Sequence, residues 1–391
     1  MATVLFTWEL GGGLGHVSHI LPLARELARL GHRPVLALRN LIEPAPLLEA
    51  AGFPVLQAPR WEPRPHSRPK RYQARTFADL LAFCGFTDRD GLAAVIRAWD
   101  TVIETIRPAL IVAEHSPMAC VAAYGGPLPL VVIGTGFTVP PSAVESFPVL
   151  TPGAEPLVPP EAVFDCVAAV LRRRGRPVPA HLPHLFAGEA GFVLTYPELD
   201  PYSAWRTAPA AGPIECLGRP TPLPAEPRGF AYLPGDHPRL DTLLAALAES
   251  GLPGAAYVRH AGPGVDASIE AAGWEACPGP QPLADLLPRV SVVLHHGGLG
   301  MAAAALAAGR PQVLIPTVLE QRLNARAVEA LGAGICLGPT IPVEMAGPAL
   351  RQAATEPRYA AAAQAWAARL AAAYPEGALP RVAEACLRLL R

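Results

Sequence analysis

Val290-Ser291-Val292-Val293-Leu294-His295-His296-Gly297-Gly298-Leu299-Gly300-Met301-Ala302-Ala303-Ala304-Ala305-Leu306-Ala307-Ala308-Gly309 is the stretch on which the reading of this chain turns. An aliphatic run that stops at histidines and glycines predicts a buried strand over 290–294, and the alanine-rich run to Gly309 predicts a helix after it. Glycines at that junction leave backbone N–H groups bare at the positive end of the helix, a pocket for a pyrophosphate. His295 is expected to be the strand's last core-facing residue, and His296 takes the ligand role beside Gly297, Gly298 and Gly300. A further strand, 312–315, runs into Pro316, and Glu320, Gln321 and Asn324 open the helix that follows. Adjacent acid and amide side chains at a strand-to-helix turn suit the vicinal hydroxyls of a sugar, one accepting hydrogen bonds and the other donating as well.

The same alternation of short aliphatic runs and helical periodicity extends in both directions, the mark of parallel sheets crossed by helices. Strands are expected at 4–7, 35–38, 55–57, 110–113, 130–133 and 192–195, and again at 230–233, 255–258, 290–294, 312–315 and 335–337. This gives two βα arrays: an N-terminal domain over 1–205, a linker rich in Pro and Gly over 206–228, a C-terminal domain over 229–370 and a last helical segment over 371–391.

The first array opens with its own glycine loop, Glu9-Leu10-Gly11-Gly12-Gly13-Leu14-Gly15-His16. Free amides at Gly13 and Gly15 can face an anion, but the spacing fails the G-x-G-x-x-G pattern of a dinucleotide fold. His16 stands at the loop's mouth, and Glu114 directly follows the strand 110–113 on the same sheet edge. A carboxylate behind an imidazole fixes its tautomer and raises its basicity, the arrangement that takes a proton from a hydroxyl.

At 391 residues, 51% apolar and 17% charged, the chain has enough material for two cores and is not of disordered composition. Lys+Arg 32 against Asp+Glu 33 leaves a net charge of -1, which gives no drive toward nucleic acid. Seven cysteines without a Cys-x-x-Cys pair fit neither a zinc site nor a disulfide framework, so a reducing cytoplasm is expected. The start has no basic n-region, and the uncharged stretch 116–144 is broken by prolines, so neither a signal peptide nor an integral membrane segment is expected, only room for peripheral contact. The arginine-rich stretch 58–75, around Trp61 and Tyr72, reads as a solvated loop or, as the alternative, a loop that contacts an acceptor. Asp88-Arg89-Asp90 reads as a surface turn rather than a metal motif.

The motifs from His295 to Gly300, Ala305 to Gln312, Pro316, Glu320-Gln321, Asn324-Ala325 and Leu331 to Gly334 together closely resemble the donor-site signature of family 1 glycosyltransferases, above all the bacterial macrolide- and rhamnosyl-type enzymes. Gly15-His16, Leu21-Pro22-Leu23-Ala24 and Pro108 to Glu114 extend the resemblance into the first half. It implies a GT-B fold, two Rossmann-like parallel-sheet domains facing a central cleft, with the last helix packed back across it. It further implies an inverting, metal-independent hexosyltransferase, with a UDP- or dTDP-sugar as substrate, no cofactor and a hydroxyl on an acceptor. By position, His296, Gly298 and Gly300 would hold the diphosphate and Glu320 and Gln321 the sugar. His16 would be the base, with Glu114 standing where the family usually has an aspartate. Gln281 lies in the segment that resembles the nucleobase loop, with Trp274 as a displaced stacking partner. Met301 and Ala304 depart from the pattern, which has a phosphate-binding Thr or Ser and a ribose-binding Glu or Gln there. The aromatics of 60–90 and 135–190, including Phe77, Phe86 and Phe147, favour an apolar or aromatic small-molecule or lipid acceptor. Two alternatives are a non-catalytic glycosyltransferase-like partner protein and a sugar-nucleotide 2-epimerase.

Overall fold

The computed structural model describes residues 1–60, 73–216, 218–338 and 341–391. The chain forms two compact units, Met1–Glu215 with Gly377–Arg391, and Cys216–Glu376. Trp61 and Tyr72 of the arginine-rich stretch lie outside the described residues.

The first unit holds β1 (Thr3–Trp8), β2 (Arg33–Leu38), β3 (Val55–Gln57), β4 (Leu110–Glu114), β5 (Leu130–Gly134) and β6 (Ala190–Val193). They form one parallel sheet in the order β3-β2-β1-β4-β5-β6. Such a sheet is covered on both faces, which is why β1, β4 and β5 read as unbroken aliphatic runs. The strand order reverses between β1 and β4, so the connections leaving them diverge and open a crevice at their carboxyl ends. Register pairs Trp8 with Glu114, the last residues of both strands.

The helix Gly15–Arg29 follows β1 and buries Val17, Ile20, Leu21, Leu23, Ala24 and Leu27, a stripe at helical spacing. The C-terminal helix Leu379–Leu389 adds Val382, Ala383 and Cys386 to the same core, and the Ala378 and Leu379 amides donate to the carbonyls of Pro213 and Ile214 at 2.8 and 3.2 Å.

The second unit holds β7 (Gly229–Pro234), β8 (Gly254–Arg259), β9 (Glu275–Ala276), β10 (Val292–His295), β11 (Gln312–Leu314) and β12 (Gly334–Cys336), all parallel, in the order β12-β11-β10-β7-β8-β9. Its reversal point lies between β7 and β10. The helix Leu299–Ala308 is buried almost all round, as its alanines allow, and stops at Gly309, whose φ of +73° suits glycine.

Several expectations need correction. The boundary between the units falls inside the expected linker 206–228, and residues 371–376 stay with the second unit. The reason lies in Arg310, which is fully buried and donates from Nη1 to the Thr221 carbonyl at 3.0 Å and from Nε to that of Leu287 at 2.6 Å, fastening the Pro-rich segment to the second core. Gln364 adds a bond to the Thr221 carbonyl at 2.9 Å. The two-residue β9 was too short to show any alternation. Asp88 is not in a turn: its carboxylate accepts the Asp90 and Gly91 amides and caps the helix Arg89–Ile106. Trp274 is not a stacking platform either. It is 2% exposed, and a Cβ on Gly229 or Gly254 would stand 2.4 or 2.6 Å from its ring, so those glycines exist to admit it to the core. Phe77, Phe86 and Phe147 are likewise core residues of the first unit.

Candidate functional site

In the first unit the glycine loop after β1 carries His16 back over the end of β4. Glu114 is fully buried there, and its Oε2 stands 2.7 Å from His16 Nδ1. Its Oε1 stands 3.3 Å from His19 Nδ1, one helical turn further along. Burial alone would raise the Glu114 carboxyl, but the two imidazoles outweigh it and hold it down at about 2. An ionised Glu114 takes the Nδ1 proton of His16 as a hydrogen bond and leaves Nε2 as the basic nitrogen. Nε2 lies over Gly11: a Cβ there would be 2.2 Å away, and φ is +84°. Gly13, at φ +80°, continues the turn, and Gly15 starts the helix.

The loop is pinned from behind. Glu9 is buried and accepts the Met118 and Ala119 amides at 2.8 and 2.7 Å, while burial raises its carboxyl to about 8 despite them. The His115 carbonyl accepts the Leu10 amide at 3.1 Å. Trp8 stacks on His16 with centroids 4.9 Å apart. His115 stacks on it at 5.7 Å.

In the second unit His295 is fully buried. The Gly297 amide donates to its Nδ1 at 3.1 Å, so Nε2 carries the proton and donates to Gln312 Oε1 at 2.9 Å. Burial lowers His295 to about 3. His296 turns the other way. Its Nδ1 is buried without a hydrogen-bond partner, its ring stands edge-on to Tyr232 at 5.2 Å, and its Nε2 is 2.8 Å from where a Gly298 Cβ would sit. Burial, then the charges of Arg259 and His237, lowers it to about 4. The amides of Leu299, Gly300 and Met301 precede the first helical bond, which runs from the Ala302 amide to the Gly298 carbonyl.

Two of the sugar-binding candidates are engaged in the fold itself. Asn324 Nδ2 donates to the Gly297 carbonyl at 2.9 Å and holds the glycine turn. Gln321 Oε1 accepts from the Thr317 amide at 2.9 Å and hydroxyl at 3.0 Å, closing the turn before its own helix. Glu320 is half-buried in the first turn of that helix. Gln281 donates to the Gly279 carbonyl at 3.0 Å within its loop. Met301 and Ala304 pack with Phe230, Leu286, Leu287, Val290 and Val293.

Sequence reasoning missed Trp8, His19 and His115 in the first unit and Tyr232, His237 and Arg259 in the second. His19 had a signal, its i,i+3 spacing from His16 on one helix. The others meet only through sheet order.

Residues 279–387 match the C-terminal domain of the erythromycin biosynthesis protein CIII-like family. The L-demethylnoviosyl transferase of Streptomyces niveus is 28% identical over 352 residues, covering 83% of either chain. The elloramycin glycosyltransferase ElmGT of Streptomyces olivaceus is 54% identical over 54 residues, a stretch that spans 14% of each. Among solved structures, the calicheamicin glycosyltransferase CalG4 superposes with a TM-score of 0.73 at 20% identity, over 100% of this chain and 98% of that one. SsfS6 of Streptomyces sp. SF2575, complexed with thymidine diphosphate, gives 0.66 at 20% identity over 99% and 100%. The chain is thus similar over most of its length to a natural-product glycosyltransferase, carries the C-terminal domain of the erythromycin biosynthesis protein CIII-like family over residues 279–387, and has the GT-B fold of the solved glycosyltransferases.

Proposed function

We propose that the protein moves a hexose from a UDP- or dTDP-sugar to a hydroxyl of an apolar or aromatic acceptor, a small molecule or a lipid, with inversion and without a bound metal. The observation that carries this reading is the His16–Glu114 pair, 2.7 Å apart at the reversal point of the first sheet. His16 Nε2 takes the proton of the acceptor hydroxyl as that oxygen bonds to the anomeric carbon. The bond from that carbon to the diphosphate breaks on the opposite face, so the configuration inverts. The charge left on the diphosphate is met by His296 and the bare amides from Leu299 to Met301. A neutral His296 suits this, because it donates a hydrogen bond from one nitrogen without holding the leaving group as an ion pair would. Gln281, Glu320, Gln321 and Asn324 line or brace the donor site of the second unit in this reading. SsfS6 was solved with thymidine diphosphate and spinosyn rhamnosyltransferase SpnG with spinosyn aglycone, ligands of the kinds proposed.

The test is a thermal-shift screen of UDP, dTDP and GDP, followed by donor consumption with and without a phenolic acceptor. Binding of a nucleoside diphosphate and sugar transfer that needs His16 support the reading. A partner protein would show neither, and a 2-epimerase would isomerise the donor with no acceptor present.

A further inference from the structure

Trp8 and His115 each lay a ring on His16, at interplanar angles of 23° and 28°. Trp8 is fully buried and fixed by the bond from its Nε1 to the Leu10 carbonyl at 2.6 Å. His115 is held at φ +43°, in the left-handed region that residues with a side chain seldom occupy. Both its ring nitrogens are buried with no hydrogen-bond partner. Leaving a donor and an acceptor unpaired in the interior costs stability, and a strained backbone adds to it. What the ring supplies in return is a neutral aromatic face against His16. A carboxylate partner would have charged His115, and a second cation beside His16 would oppose its uptake of a proton.

We propose that Trp8 and His115 are positioning residues whose ring faces hold the His16 imidazole with Nε2 over Gly11 and stabilise its imidazolium form. The inference rests on the reading of His16 as the base. The electron-rich face of an aromatic ring attracts a cation within about 6 Å of its centroid, and Trp is the strongest such partner. Charged or titratable groups near His16 among the described residues include Glu114 at the end of β4, His19 on its own helix, Glu9 just after β1 and Arg39 just after β2. Arg39 donates to the Glu9 carbonyl at 3.0 Å. Glu114 is shared, its two oxygens facing His16 and His19 at 2.7 and 3.3 Å, and the two rings act on the imidazole face.

The experiment is an NMR titration of the histidine ring resonances in the unliganded protein, with His16 assigned by its loss in His16→Gln. In Trp8→Leu and His115→Leu the His16 midpoint should fall by about 0.5–1.5 pH units, the larger fall for Trp8. Trp8→Phe and His115→Phe keep a ring face and should stay within about 0.3 units of wild type. A His115→Leu midpoint equal to wild type, or equal shifts for Leu and Phe, overturns the proposal. If a leucine variant does not fold, the phenylalanine variant decides alone, since a midpoint moved by a full unit overturns it and an unmoved one supports it. The titration reads the stack whether or not sugar is transferred. Turnover of His16→Ala reads the base separately, so failure of one is not failure of the other.

Discussion

Both sheets carry the same strand order, and in both the decisive histidines sit where that order reverses, yet the two sites have opposite electrostatic character. At the end of β4 the last strand residue is Glu114, and it supplies a negative charge to His16 and His19. At the matching end of β10 the last strand residue is His295, which is buried, neutral and committed to Gln312 and Gly297. His296 beyond it meets Arg259 and His237 instead of a bonded carboxylate and is pushed down to about 4. His16 therefore faces an ionised carboxylate in one unit, while burial and nearby cations keep His296 uncharged in the other.

Removing the base tests the first half of this comparison most severely. His16→Ala should lower turnover by about two to four orders of magnitude while nucleotide affinity, measured by calorimetry, stays near wild type. Equal loss of nucleotide binding would move His16 out of the base role. Gly11→Ala leaves every polar group in place but puts a methyl onto Nε2 at 2.2 Å with φ at +84°. A misplacement of this kind costs about a hundredfold in rate, so single-turnover rates should fall by that order in a variant that still binds nucleotide.

The second half breaks or stands on His296→Ala. It should weaken a nucleoside diphosphate by about 1.5–3 kcal/mol, more than tenfold, and leave the free nucleoside unaffected. Met301→Thr, which restores the hydroxyl of the family pattern, should not tighten diphosphate binding. Met301 packs against Phe230, Leu286 and Val293, so the change removes contact, buries a hydroxyl and lowers stability by about 1–3 kcal/mol in a denaturant titration.

A further effect is in pH. His296 and His295 bind a proton below about 6.5 in the unfolded chain but only below about 4 and about 3 in the folded one. The unfolded state thus holds more protons between those limits, and stability should rise with pH from about 4 to 6.5. Thermal melts across that window should show a shallower slope in His296→Gln than in wild type.

The strands were legible because buried parallel strands are aliphatic runs closed by Gly, Pro or polar residues, and every expected strand lies within two residues of an observed one. The meeting of His16 with Glu114 was legible for the same reason, since each closes or follows such a run. The Trp8 and His115 stacks were not, because nothing in the chain shows that β1 and β4 are neighbours in register. Trp274 shows the reverse failure. It stands near the nucleobase loop in sequence, and the missing side chains of Gly229 and Gly254, at least 20 residues away, make room for it in the core.

The residues Gly377–Arg391 close the core of the first unit, and the whole second unit is threaded between them and Glu215. On the ribosome this orders events. The second unit has all its strands and helices before Val382, Ala383 and Cys386 are synthesised, whereas the stripe Val17, Ile20, Leu23 and Leu27 has emerged early and lacks those partners. The half that is made first is therefore finished last, and its core lacks the C-terminal helix's share through most of translation.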